Sequence, residues 1–201
     1  MKKDILHDLS VSWATQLNRY VNREGVDFQK MVLGLEIMLH NVPKMVLMVV
    51  MAFALGILPQ TLAVWFPFVL LRRYASGLHA SGSIRCTIVS LLMFVAIPYV
   101  LWGLYIDEAF LSIALMGTAF MMYKYAPADT AERPIIGKLK RVRLKKKAVV
   151  ACCFLLALTL LFLREEFYVL IVTGAFFVVV TIMPLTYRVL RRSMNNYEKF
   201  E

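Results

Sequence analysis

Apolar runs of roughly membrane-spanning length, separated by short polar breaks, fill most of this chain. Ahead of them, Ile5, Leu9, Trp13, Leu17 and Tyr20 recur at helical spacing, with Asp8, Asn18, Arg19 and Arg23 off that stripe. This pattern predicts an amphipathic helix in residues 1–36, lying on a membrane surface or against a helical bundle, with Gly25 as its break. The first apolar block has Pro43 and Lys44 near its start and a turn signal, Gly56 to Gln60, at its end. The remaining blocks are Thr61–Leu71, Cys86–Ile106, Ala109–Tyr125, Ala148–Leu163 and Phe167–Tyr187. The predicted fold class is all-α: a polytopic membrane protein of six crossings, forming one domain over 1–201. Its expected parts are the amphipathic region 1–36, a hairpin 37–71, a polar segment 72–86, a hairpin 87–126, a basic loop 127–147, a hairpin 148–187 and a tail 188–201.

Charge placement turns this layout into a topology. On six crossings with both termini inside, the outer loops fall near Pro59, at Asp107-Glu108 and at Arg164-Glu165-Glu166, so all but one of the 23 Lys and Arg residues lie on the inner side. That asymmetry is the imprint of membrane orientation, and it excludes nucleic acid as the reason for a net charge of +10. The short block Thr61–Leu71 is the strained point. As a helix its 11 residues reach about 16 Å, against a hydrocarbon core of about 30 Å. Two readings stand: extension through snorkelling Arg72 and Arg73, or a re-entrant hairpin. Composition adds that 60% of residues are hydrophobic and the mean hydropathy is +0.68, beyond a soluble globular chain. No cleaved signal peptide is expected, because residues 1–30 lack an apolar core.

The chemistry concentrates in one polar interruption, Arg72-Arg-Tyr-Ala-Ser-Gly-Leu-His-Ala-Ser-Gly-Ser-Ile-Arg-Cys86. Here a histidine, His79, precedes a cysteine by seven residues, the minimum equipment for nucleophilic acyl chemistry. On one continuous helix the two would stand about 10.5 Å apart along the axis, too far for proton transfer over about 3 Å. A turn at Gly82 with Ser83 as cap would start a new helix whose first residues are Ile84, Arg85 and Cys86. The helix field and the Arg85 cation would then both favour the thiolate, free first-turn N–H groups would offer an oxyanion site, and the turn could fold His79 back onto the sulfur. Spacing alone leaves the alternative of an ordinary loop histidine and an ordinary helix-start cysteine. One histidine and one cysteine make too few ligands for a metal site, and no cofactor is expected. Cys152 and Cys153, inside an apolar run, read as small inert hydrophobes.

At this point the chain resembles a known family. Arg-Arg-Tyr-Ala-Ser-Gly-Leu-His-Ala followed six residues later by Cys-Thr is similar to the active-site signature of the accessory gene regulator B (AgrB) family. Tyr125-Ala-Pro-Ala-Asp-Thr130, then Arg133-Pro134, is similar to its second signature. The resemblance covers essentially the whole chain. It implies a membrane-embedded cysteine endopeptidase of Gram-positive bacteria in quorum sensing, located in the cell membrane with its catalytic segment cytoplasmic. Its substrate would be an AgrD-like propeptide, cleaved near its C-terminus through an acyl-thioester and cyclised to a thiolactone or lactone. The resemblance makes His79 the general base and Cys86 the nucleophile, with Arg72 and Gly77 as the matching motif arginine and glycine; Gly82, Ser83 and Arg85 support them. Ser76 departs from the family's pattern, which leaves its role open.

The run 138–147 holds seven basic residues in ten. It either orients the protein against anionic lipid or docks an acidic precursor tail through Lys138, Lys140, Arg141 and Arg143. Asp129 either orients His79 or serves a helix cap or structural turn. Expected partners are the propeptide, lipid and a second copy of the chain as a homodimer. Two rivals remain from other classes: a small peptide exporter, which would carry ionisable residues at mid-membrane where these spans carry almost none, and a non-catalytic membrane partner of a signalling system, which would be indifferent to a change at Cys86.

Overall fold

A computed structural model describes residues 5–78, 82–104, 106–131, 134–162 and 165–199. Among them the protein is helical throughout, with no strand and one isolated parallel bridge.

Two compact units divide the chain, residues 1–51 and 52–201. In the first, α1 (Ile5–Val21) is followed by a break at Asn22–Glu24 and by α2, which runs from Gly25 to Ala54. Asn22 and Gly25 both have positive φ, so the chain reverses just before Gly25, and that glycine opens the next helix rather than ending the first. On α1 the Ile5, Leu9, Trp13, Leu17 and Tyr20 stripe is exposed, and Ser10 and Ala14 are buried. His7 Nδ1 approaches Glu36 Oε2 at 3.4 Å and ties α1 to α2. Pro43 sits inside α2 without ending it.

In the second unit, α3 (Leu58–Ala75) begins with Pro59 in its first turn, where a missing N–H costs nothing. At 18 residues it is longer than the expected Thr61–Leu71 block, because Arg72–Ala75 continue the helix. Next come α4 (Ser83–Leu91), a π-turn (Leu92–Ala96) and α5 (Ile97–Leu101), stacked as one composite helix. Pro98 explains the π-turn: it has no N–H for the regular ladder, so the preceding carbonyls shift register. Helix α6 (Glu108–Tyr125) is capped by the Asp107 carboxylate, which accepts from Phe110 N–H at 3.1 Å. The basic run 138–147 is not loop: it forms the first turns of α7 (Lys138–Phe162). The block expected as Phe167–Tyr187 is likewise divided, with α8 (Glu165–Ile182) ending at Met183 before Pro184 opens α9 (Pro184–Val189). A single 3-10 turn, Asn196–Lys199, closes the described chain.

Helix α8 is the core of this unit. Residues Tyr168–Val172, Ala175, Val178, Val179 and Ile182 are all buried, and α3 is its principal neighbour. On α3 the buried positions Gln60, Thr61, Val64, Pro67, Leu71 and Ala75 recur at helical spacing and form the facing stripe. Gly174 permits this approach, because a Cβ there would collide with the Val64 carbonyl oxygen and with Pro67. Phe94 from the π-turn packs edge-on against Phe68 of α3, with ring centroids 5.0 Å apart, and reaches Phe177 of α8 at 6.4 Å.

Among the described residues two helices are long and apolar enough to cross a bilayer, Gly25–Ala54 and the composite Ser83–Leu101, with shorter apolar helices at Ala109–Tyr125 and Glu166–Ile182.

Candidate active site

The polar segment begins as the last turn of α3 and leaves it through two residues of positive φ, Ser76 at +56° and Gly77 at +104°. Ser76 N–H closes the helix on the Arg72 carbonyl at 3.1 Å. From there the backbone is held on both sides. Gly77 N–H donates to the Ala128 carbonyl at 2.8 Å, and Ala128 N–H donates to the Ala75 carbonyl at 2.9 Å, completing the parallel bridge. Leu78 N–H donates to the Thr181 carbonyl at the end of α8, at 3.0 Å. The two signature segments of the sequence thus meet directly, Ala75, Ser76 and Gly77 against Ala128.

Arg72 fixes the turn from inside. Its guanidinium donates to the Gly77 carbonyl at 3.1 Å, to the Leu78 carbonyl and to the Thr181 hydroxyl, and it lies over the Phe68 ring at 5.8 Å. Gly77 is required by space as well as by φ. A Cβ there would stand 2.7 Å from the Thr181 oxygen and 3.0 Å from Arg72 Nη1. His79 and Ser81 lie outside the described residues.

The chain resumes at Gly82, which holds φ +87° and occupies the cap position of α4. The expected cap, Ser83, is instead the first helical residue, because a left-handed φ at Gly82 already turns the chain into the helix. This moves Cys86 to the fourth helical position, where its N–H is bonded to the Gly82 carbonyl at 3.1 Å. Ser83, Ile84 and Arg85 are the residues whose N–H groups lack an acceptor within the helix. Cys86 is half-buried, Cys152 buried and Cys153 exposed. Arg85 is exposed on the first turn.

The second signature segment serves as the brace. Asp129 is 3% exposed, and its Oδ2 accepts the Tyr197 N–H at 2.9 Å, in the 3-10 turn near the C-terminus. Its carbonyl accepts the Tyr187 hydroxyl at 2.8 Å. Tyr187, on α9 beyond the apolar α8, has its phenol pushed up to about 12 by burial, with the Asp129 carboxylate adding to the rise and Arg72 opposing it. It is therefore a neutral hydrogen-bond donor at any physiological pH. Of the basic run, Lys138, Lys140 and Arg143 are exposed. Arg141 is engaged otherwise, stacked 3.8 Å over the Tyr197 ring and donating to the Ile135 carbonyl at 3.2 Å. Among the described residues no cluster of His, Cys, Asp or Glu is placed to hold a metal ion.

Sequence reasoning missed Thr181, Tyr187 and Tyr197. The first two lay inside a stretch read as one uniform span, and the usable signal was Pro184, which separates α8 from α9.

Comparison with known proteins bears on this arrangement. Residues 10–182 match the family described as Accessory gene regulator B. The chain belongs to this family. An AgrB-like protein of Clostridium acetobutylicum is 33% identical over 200 residues, covering 100% of this chain and 96% of its own. An AgrB-like protein of Listeria monocytogenes serotype 4a is 40% identical over 174 residues, covering 87% of this chain and 85% of its own. The accessory gene regulator protein B of Staphylococcus aureus is 32% identical over 127 residues, 63% of this chain and 68% of its own. No solved structure matches. Both signature segments, and the Arg72–Thr181 contact between α3 and α8, fall inside the region that matches AgrB.

Proposed function

We propose that this AgrB-family protein is a cysteine endopeptidase, built on a single multi-pass domain, that cleaves and cyclises an AgrD-like quorum-sensing precursor. The observation that supports it most is the placement of Cys86. It lies one turn into α4 and half-buried, and Arg72 pins the turn that ends one residue before His79. The Cys86 thiolate attacks a peptide carbonyl towards the precursor's C-terminus, the C–N bond breaks, and His79 delivers a proton to the departing amine. The acyl group is then a thioester on Cys86. A cysteine or serine within the bound precursor attacks that thioester and gives its proton to His79. The ring closes, and Cys86 leaves as thiolate. Water attacking first would give a linear acid.

Lys138, Lys140 and Arg143 offer exposed cations to an acidic precursor tail or to anionic lipid. The decisive experiment is to trap the intermediate: purified protein in nanodiscs, mixed with precursor, should carry an acyl group on Cys86 that hydroxylamine removes. An adduct-free Cys86 during active turnover would overturn the thioester route.

The proposed topology of six crossings keeps both termini, the 72–86 segment and the start of α7 cytoplasmic, as the charge asymmetry demands. Cysteines substituted at Glu108 and Glu165 should label from outside intact cells and one at Lys140 should not. Outside labelling at 140 would reverse the model.

A further inference from the structure

We propose that Thr181 is a positioning residue for the Cys86 chemistry, acting through Arg72 and the 77–78 turn. The inference rests on the endopeptidase reading above and adds a residue that neither signature segment contains. Thr181 meets the site with two different atoms. Its carbonyl accepts the Leu78 N–H at 3.0 Å, fixing the residue immediately before His79. Its hydroxyl donates to the Val178 carbonyl at 2.7 Å, which uses the one hydroxyl proton and turns a lone pair towards Arg72 Nη1.

That polarity gives the hydroxyl its role. A guanidinium has only donors, so it meets the Thr181 oxygen at a lone pair, and a hydroxyl proton held on another acceptor is turned away from it. The helix carbonyl of Val178 is that acceptor. The other terminal Arg72 nitrogen then spans the Gly77 and Leu78 carbonyls, so the backbone that leads into His79 is set from α8. The end of α8 is thus the fixed post against which the turn is set.

Thr181→Val keeps the shape of the side chain and the backbone carbonyl but removes the acceptor. Thr181→Ser keeps the acceptor. Thr159, a buried threonine of α7 bonded to its own helix at Leu155, provides the control Thr159→Val. With turnover normalised to protein in the membrane, Thr181→Val should lower kcat for precursor cleavage by about tenfold or more, with KM within about twofold. Thr181→Ser and Thr159→Val should stay near wild type. In parallel, iodoacetamide should alkylate Cys86 in nanodiscs more slowly in Thr181→Val than in wild type, with Thr181→Ser restoring the rate. Full turnover and unchanged alkylation in Thr181→Val would overturn the proposal, as would a Thr181→Ser protein that falls as far as Thr181→Val. The alkylation arm needs no substrate, so a wild-type protein that cleaves no precursor would remove the endopeptidase reading while leaving the Thr181 contact decided on its own.

Discussion

Replacing Cys86 by alanine is expected to lower precursor cleavage by about ten-thousand-fold or more, to the background of the uncatalysed reaction, while the protein still inserts and accumulates. No other thiol can substitute. Cys152 is buried in α7, and Cys153 follows it on the same helix, outside both signature segments. Their alanine variants should therefore cleave at nearly the wild-type rate. Alanine at His79 is expected to match the loss at Cys86, since thiolate formation and protonation of the leaving amine both pass through it, and the double variant should be scarcely worse than either single one. Cleavage of epitope-tagged precursor in cells, followed by immunoblot against the amount of inserted protein, measures all five. Normal processing by the Cys86→Ala protein would end the endopeptidase reading.

The second large effect is on the fold, at two glycines. Gly77→Ala places a side chain at φ +104° and pushes a carbon to 2.7 Å from the Thr181 oxygen and 2.9 Å from Ile182 Cγ2. Strain and overpacking together are expected to cost about 2–5 kcal/mol. Gly174→Ala drives a methyl into the Val64 carbonyl and Pro67 and forces α3 and α8 apart, a cost of about 3 kcal/mol. Gly34→Ala in α2 and Gly117→Ala in α6 meet nothing within 4 Å and should be neutral or stabilising by up to about 1 kcal/mol. Aggregation temperature in detergent and membrane accumulation separate the two pairs. Gly77→Ala should also lose cleavage in whatever fraction remains folded, because the turn it disrupts carries the Leu78 bond to Thr181. Equal behaviour of all four variants would refute the close packing of α8.

The helical class and most helix positions follow from apolar blocks, because a helix bonds the backbone N–H and C=O groups of such a run internally where water is excluded. Boundaries were less legible. Lys138 to Lys147 resemble a loop by composition, yet lysine and arginine are good helix formers and simply extend α7 outward. Residues 183 and 184 carried a break that hydropathy averaging hides, because Met183 and Pro184 are themselves apolar. Around Cys86 the local backbone was readable: a turn at Gly82 and a helix starting before Cys86. Ser83 as cap was not, since a glycine in left-handed conformation turns a chain without any side-chain bond. Asp129 was legible as a structural residue, although the N–H it receives belongs to Tyr197, far along the chain. The way Arg72 holds the 77–78 turn was not legible either, since its partners include Thr181 of α8. Such contacts depend on tertiary packing, and no spacing rule announces them.

The bond between Arg72 and Thr181 joins residues 109 positions apart. At about 5–20 residues per second of synthesis, the acceptor for that guanidinium emerges about 5–20 s after the arginine itself. Tyr197, which braces the opposite side through Asp129, comes later still. A half-made chain on the ribosome therefore carries the 77–78 turn without the contacts that fix it, and those contacts are completed only once α8 and the Asn196–Lys199 turn have emerged.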